Sequence, residues 1–168
     1  MDSIWNQLRD LFEHDDGSLP EIELTNLGPA AIPRVVATLW RRGHDATAGG
    51  ASYCDRRDGR DKPIASAEEA ANAAVFVCKQ EAESIHVVLG GLGGAGSPIP
   101  DLGVFVHPHG LVLDYRMGSA WGPQQVAALF ELLLTIAEIE PDLAVHHQDA
   151  DEAFDVAWKQ YREARRTI

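Results

Sequence analysis

The stretch Leu102-Gly-Val-Phe-Val-His-Pro-His-Gly-Leu-Val-Leu-Asp-Tyr115 decides the fold. Two apolar runs, Leu102–Val106 and Leu111–Tyr115, flank a short insert, His107-Pro108-His109-Gly110, rich in turn formers. That is the pattern of a β-hairpin. Proline cannot take a positive φ, so the common type I′ turn is excluded. A type I turn at Pro108-His109 with Gly110 left-handed fits instead. This register sets Val106 against Val112 and Phe105 against Leu113. Both faces of the hairpin are apolar, which predicts a central position in a sheet covered on both sides.

Outward from the hairpin, strands and helices alternate irregularly. Glu21-Ile-Glu-Leu-Thr25 alternates polar with apolar, predicting a strand with one wet face. Ile85–Leu89 reads as another strand, Leu143–His146 as a short one, and a further short strand lies near Ala51–Cys54 before an exposed loop. Residues 3–16 carry a helical stripe of Ile4, Leu8, Leu11 and Phe12, with Asp2 or Ser3 as cap and Gly17 as stop. A second helix over about 30–42 repeats Ile32, Val35, Val36, Leu39 and Trp40. Ser66-x-x-Glu69 is a capping box that opens an alanine-rich third. Gly122-Pro123 opens and Pro141 closes the most apolar helix, whose stripe of Val126, Leu129, Phe130, Leu133 and Ile136 is widened by Leu132, Leu134 and Ile139. Asp151 caps a last helix with Phe154, Ala157, Trp158 and Tyr161 facing inward. The expectation is a single α+β domain over residues 1–168, a mainly antiparallel sheet with about five helices packed on it.

Composition narrows the function classes. Lys and Arg number 14 against 26 Asp and Glu, for a net charge of −12. Phosphate binding needs clustered cations, so no nucleic-acid partner is expected. An anionic membrane surface would repel the chain, and no apolar run reaches the ~20 residues that span a bilayer. Met1-Asp2-Ser3-Ile4-Trp5 lacks the features of a signal peptide, so the expected location is cytoplasmic. Cys54 and Cys78 form no CxxC pair and are read as reduced and buried.

The charge is uneven. Residues 1–28 hold seven acids and one base, and residues 131–155 eight acids and no base. Residues 29–62 and the last thirteen are each net +3. Such blocks serve either as plain solvated surface or as a field that steers a basic partner. On the second reading Asp15, Asp16, Glu138, Glu140, Asp142 and Asp149 are the candidate partner-binding residues.

Four motifs invite sharper chemistry. Gly91-Leu-Gly93-Gly-Ala-Gly96 matches GxGxxG after a strand, but Ser97-Pro98-Ile99-Pro100 forbids the helix that would hold a pyrophosphate. It reads as a link between strands, and no cofactor is expected. His107-x-His109 and His146-His147 lack a placed third ligand, and HExxH is absent, so no metal site is assigned. Asp149-x-Asp151 lacks the glycine that a calcium loop needs. Arg116 lies between Tyr115 and Trp121 at the mouth of a helix, where a carboxylate or phosphate would find a guanidinium. Against an anion site stands an ion pair of Arg116 with Asp114 or Asp101. There is no GxSxG elbow.

Three function classes follow. The first is a non-enzymatic acidic protein-binding domain, immunity- or antitoxin-like, that neutralises a basic partner. The second is a small-ligand-binding domain or small enzyme with its site at Tyr115, Arg116 and Trp121. The third is a structural homo-oligomer, in which a paired surface accounts for Leu132, Leu134 and Ile139.

Overall fold

In the computed structural model, residues 2–93, 96, 98–150 and 152–166 are described. Among the described residues, five α-helices, one 3₁₀ turn and eight strands form an α+β fold. The strands are β1 (Glu21–Thr25), β2 (His44–Asp45), β3 (Ser52–Asp55), β4 (Arg60–Pro63), β5 (Ile85–Gly90), β6 (Leu102–His107), β7 (Gly110–Tyr115) and β8 (Ala144–His147). Six of them make one antiparallel sheet in the order β2-β5-β6-β7-β1-β8, and β3-β4 is a separate hairpin. The helices are α1 (Asp2–Leu8), α2 (Ala31–Arg42), α3 (Ala67–Cys78), α4 (Pro123–Ile139) and α5 (Ala153–Arg166).

The 102–115 hairpin lies at the middle of the sheet, as its apolarity implies, but its register differs by one residue. His107 pairs with Gly110, Val106 with Leu111 and Phe105 with Val112. The loop is two residues long, and Gly110 does not take a left-handed conformation. Burial explains the choice. This register sets Val104 opposite Leu113 and Val106 opposite Leu111, all four buried, and leaves Phe105 and Val112 together on the other face. A slip of one residue would set an inward side chain opposite an outward one on every rung.

The hairpin is not covered on both faces. Ile22, Leu24, Val87, Leu102, Leu113, Tyr115 and Val145 point into one contiguous core beneath the helices. Their strand neighbours Glu23, His86, Phe105 and His146 are exposed. The helical layer therefore covers a single side of the sheet.

Local chemistry accounts for the other departures. The first helix ends at Leu8 and gives way to a 3₁₀ turn over Arg9–Leu11 rather than reaching residue 16. The Asp15 and Asp16 carboxylates accept from Gly17 N and Ser18 N, at 2.9 and 2.8 Å, and so stabilise turns in place of helix. In α3 the Ser66 hydroxyl accepts from Glu69 N, whereas the Glu69 carboxylate reaches Ala65 N rather than the cap's own amide. The stretch Val75–Cys78 is helical. Cys54 and Cys78 are free and half-buried rather than buried. The expected cap Asp151 lies outside the described residues, and α5 buries Phe154, Ala157, Trp158 and Tyr161 as its spacing implies.

The segment 56–65 holds strand β4, where a loop was expected. Arg60-Asp-Lys-Pro63 has no apolar alternation to announce it. Its pairing is anchored by Asp55, which is 1% exposed and accepts from Arg57 Nε, Arg57 Nη2 and Lys62 Nζ at 2.9, 2.7 and 2.5 Å. Those bonds hold the Asp55 carboxyl far below the ordinary carboxylate range.

Candidate protein-binding face

The uncovered side of the sheet is built by strand alternation. On each strand every second side chain points away from the helices, and the register aligns these residues into rows. One row runs His86, Phe105, Val112, Glu23, His146 across five strands. The next runs Val88, Gly103, Asp114, Glu21. Phe105 is 37% exposed and lies on β6, one of the two middle strands of the sheet. His86 and His107 lie beside it, with ring centroids 6.4 and 6.1 Å away.

Two glycines shape this surface. The Asp114 carboxylate lies over Gly103, filling the space a side chain there would need, and so reaches His86 Nε2 at 2.6 Å. His44 likewise lies over Gly90, beside the Asp101 carboxylate. Glycine within a strand marks such close approach.

The electrostatics are one-sided. No Lys or Arg occurs in any strand of the six-stranded sheet. Glu21, Glu23 and Asp114 supply negative charge around the apolar centre. His146 Nδ1 lies 3.0 Å from the Asp155 carboxylate, which raises the basicity of that imidazole. Partial burial and the nearby His109 make His107 less basic.

The acids singled out in the sequence do not form one surface. Asp16 and Asp149 meet at the rim of a cavity of about 240 Å³ that also involves Asp10 and His147, and Asp15 is the exposed neighbour of Asp16. Glu138, Glu140 and Asp142 lie beyond the opposite end of β8. There Glu140 accepts a long bond, 3.4 Å, from Gly28 N. Two short patches, separated by the length of that strand, replace a continuous field.

The Tyr115–Trp121 region divides in the same way. Tyr115 and Trp121 turn inward, 1% and 4% exposed, and pack on Phe12 with centroids 4.8 Å away, Tyr115 stacked and Trp121 tilted. The Trp121 indole donates to Arg116 O at 2.8 Å. Arg116 itself is exposed and forms no ion pair among the described residues, with Asp114 turned to His86 instead. The three side chains therefore do not converge on a pocket. Leu132 is buried, and Leu134 and Ile139 pack against the core, so the helices of this chain already use the apolar surplus of α4.

The adjacent histidines face opposite sides. His146 is outward, whereas His147 is buried with Nε2 at 2.7 Å from the Tyr115 hydroxyl and Nδ1 accepting from Asp149 N at 3.1 Å. His107 folds over Gly110 while His109 is exposed at the turn. Among the described residues no three metal-ligating side chains converge. Between Gly91 and Asp101 no helix occurs among the described residues. Gly94, Ala95 and Ser97 of the glycine-rich motif lie outside them.

Sequence reasoning missed Phe105, Val112 and Asp114 as surface residues, because it assumed a covered hairpin. The alternation of Glu21-Ile-Glu23 was the signal, since β1 lies next to β7 and the two share their wet side. No family model, curated protein or solved structure matches the chain.

Proposed function

We propose that this chain is a non-enzymatic protein-binding domain for a basic partner, in the manner of an immunity or antitoxin-like protein covering a cationic toxin surface. The open face of the sheet is the surface that meets it. A single observation carries this reading. An exposed aromatic, Phe105, stands on a middle strand of the open six-stranded face among Glu21, Glu23 and Asp114, with no cation on any of its strands. An apolar anchor within a polar rim is the anatomy of a protein interface. The rim's charge suits a cationic surface, and opposed fields raise association rates by ~10–10³-fold. The patches at Asp15, Asp16 and Asp149 and at Glu138, Glu140 and Asp142 lie at the two ends of the edge strand β8 and add negative charge at that border of the sheet.

Site-specific photo-crosslinking in the native host tests this. A crosslinker at position 105 is expected to capture a basic protein, and one at Lys159 on α5 is not. Capture is expected to fall at high salt, where exposed charges are screened within a few ångströms, and to be lost in the Glu21→Lys/Glu23→Lys variant. Equal capture from both positions, or capture indifferent to salt and to charge reversal, overturns the reading.

A further inference from the structure

On the helical side of the molecule, away from the sheet face, α2, α4, α5 and the chain leaving β5 line an open groove of about 660 Å³. That volume lies in the ~300–1,000 Å³ range of small-molecule sites. Its floor is apolar and small, made by Ala127, Ala128 and Leu92. Its polar lining is cationic on balance, with Arg42 and Arg165 against the single acid Glu131.

The three charges are not equivalent. Glu131 is already engaged, accepting from the Tyr161 hydroxyl at 2.5 Å and from Arg165 Nη2. Arg165 Nη2 also donates to the Tyr161 hydroxyl at 3.1 Å, which holds the guanidinium in place. Its Nε and Nη1 donors have no acceptor among the described residues. Arg42 forms no ion pair or side-chain hydrogen bond among them. Its position is sterically set. Gly43 lets the end of α2 close on β5, since a Cβ there would lie 2.7 Å from Gly90 O and 2.9 Å from a Leu92 methyl. That approach brings Arg42 to the wall that Leu92 forms. Arginine in the last turn of a helix also complements the macrodipole. That accounts for one cation on each helix, but not for two helices delivering theirs to one groove in a chain of net charge −12.

We infer that this groove binds a small organic monoanion, a carboxylate carried on a compact apolar body. The carboxylate accepts from Arg42 and from the free donors of Arg165, and the body rests on Ala127, Ala128 and Leu92. Guanidinium–carboxylate pairing supplies the orientation and the apolar floor the shape selection. The site is independent of the proposed partner face.

The test is a heteronuclear NMR titration of the full chain with sodium benzoate, with benzamide as neutral isostere and inorganic phosphate as an anion without an apolar body. The expected result is saturable shifts at Leu92, Gly93, Ala127 and Ala128 with benzoate, and at least tenfold weaker responses to the other two. Arg42→Gln is expected to weaken benzoate about tenfold, the worth of one charged hydrogen bond. Ala128→Leu, which fills the floor, is expected to abolish binding while the rest of the spectrum is retained. Absence of saturable benzoate shifts overturns the site. Equal binding of benzamide overturns the anion assignment, and equal binding of phosphate overturns the apolar body. Unchanged affinity in Arg42→Gln overturns the role of that guanidinium.

Discussion

The carboxylate of Asp114 occupies the place where a side chain on Gly103 would stand. The two residues face each other across β6 and β7, and the missing side chain lets Asp114 reach His86. Glycine is normally unfavourable in a strand, so its effect here depends on its neighbour. Gly103→Ala is expected to destabilise the protein by about 1 kcal/mol, as Asp114 is displaced and its pairing with His86 is lost. In an Asp114→Ala background the same substitution is expected to stabilise by roughly 0.5–1 kcal/mol, the ordinary advantage of Ala over Gly. Urea denaturation of the four proteins of this double-mutant cycle checks the reversal of sign.

His146 and His147 are neighbours with opposite titration. The Asp155 carboxylate raises His146, whereas burial lowers His147 to about 4. Imidazole NMR resonances are expected to titrate in that order, His146 first as acid is added. For His147 the unfolded chain binds the proton more readily than the folded one. Stability therefore rises with pH across the window from about 4 to 6.5, and it is lost as pH falls through that window. The shift corresponds to roughly 3 kcal/mol between the ends of the window. In His147→Gln, urea midpoints between pH 4 and 7 are expected to lose most of this dependence. Burial disfavours the charged ring, and protonated His147 also loses its bond from Asp149 N.

The open face separates Phe105 from Leu113, although both are large apolar residues of the same hairpin. Leu113 is 0% exposed and Phe105 37%. Leu113→Ala is expected to cost about 2–5 kcal/mol through transfer and cavity effects. Phe105→Ser is expected to cost less, about 1 kcal/mol, through the lost cross-strand contacts with His86 and Val112. Thermal denaturation of the two variants distinguishes a one-sided sheet from a covered one.

Asp55 organises the β3–β4 hairpin through Arg57 and Lys62. Asp55→Asn keeps the shape and removes the charge. Hydrogen exchange is expected to show the amides of Ser52–Asp55 losing protection while those of β6 and β7 keep it. Its carboxylate is held below the usual range, so its contribution is present at neutral pH and lost as acid protonates it in the folded state. Equal loss of protection in both regions would show that the hairpin is not a separate unit.

Legibility followed the strength of local pattern. The helical stripes of α2 and α4 were readable because each buries one continuous face, and β1 because it alternates. β4 was not, since its pairing comes from a carboxylate five residues before its first residue. The first helix was overextended because Asp15 and Asp16 act on their own backbone, a competition that apolar spacing does not register. The acids of the candidate site were readable as composition, but not as a surface. Residues 142 and 149 are close in sequence, yet an extended strand between them sends them to opposite ends.

The sequence by itself determined the class of fold, the α+β arrangement with the 102–115 hairpin at its centre, because period-two and period-3.6 burial are local properties of the chain. Only the tertiary structure decided which side of that hairpin is wet. Val104 and Phe105 are alike in apolarity, and the choice between them rests on where five helices find room to pack, a long-range balance no single segment contains.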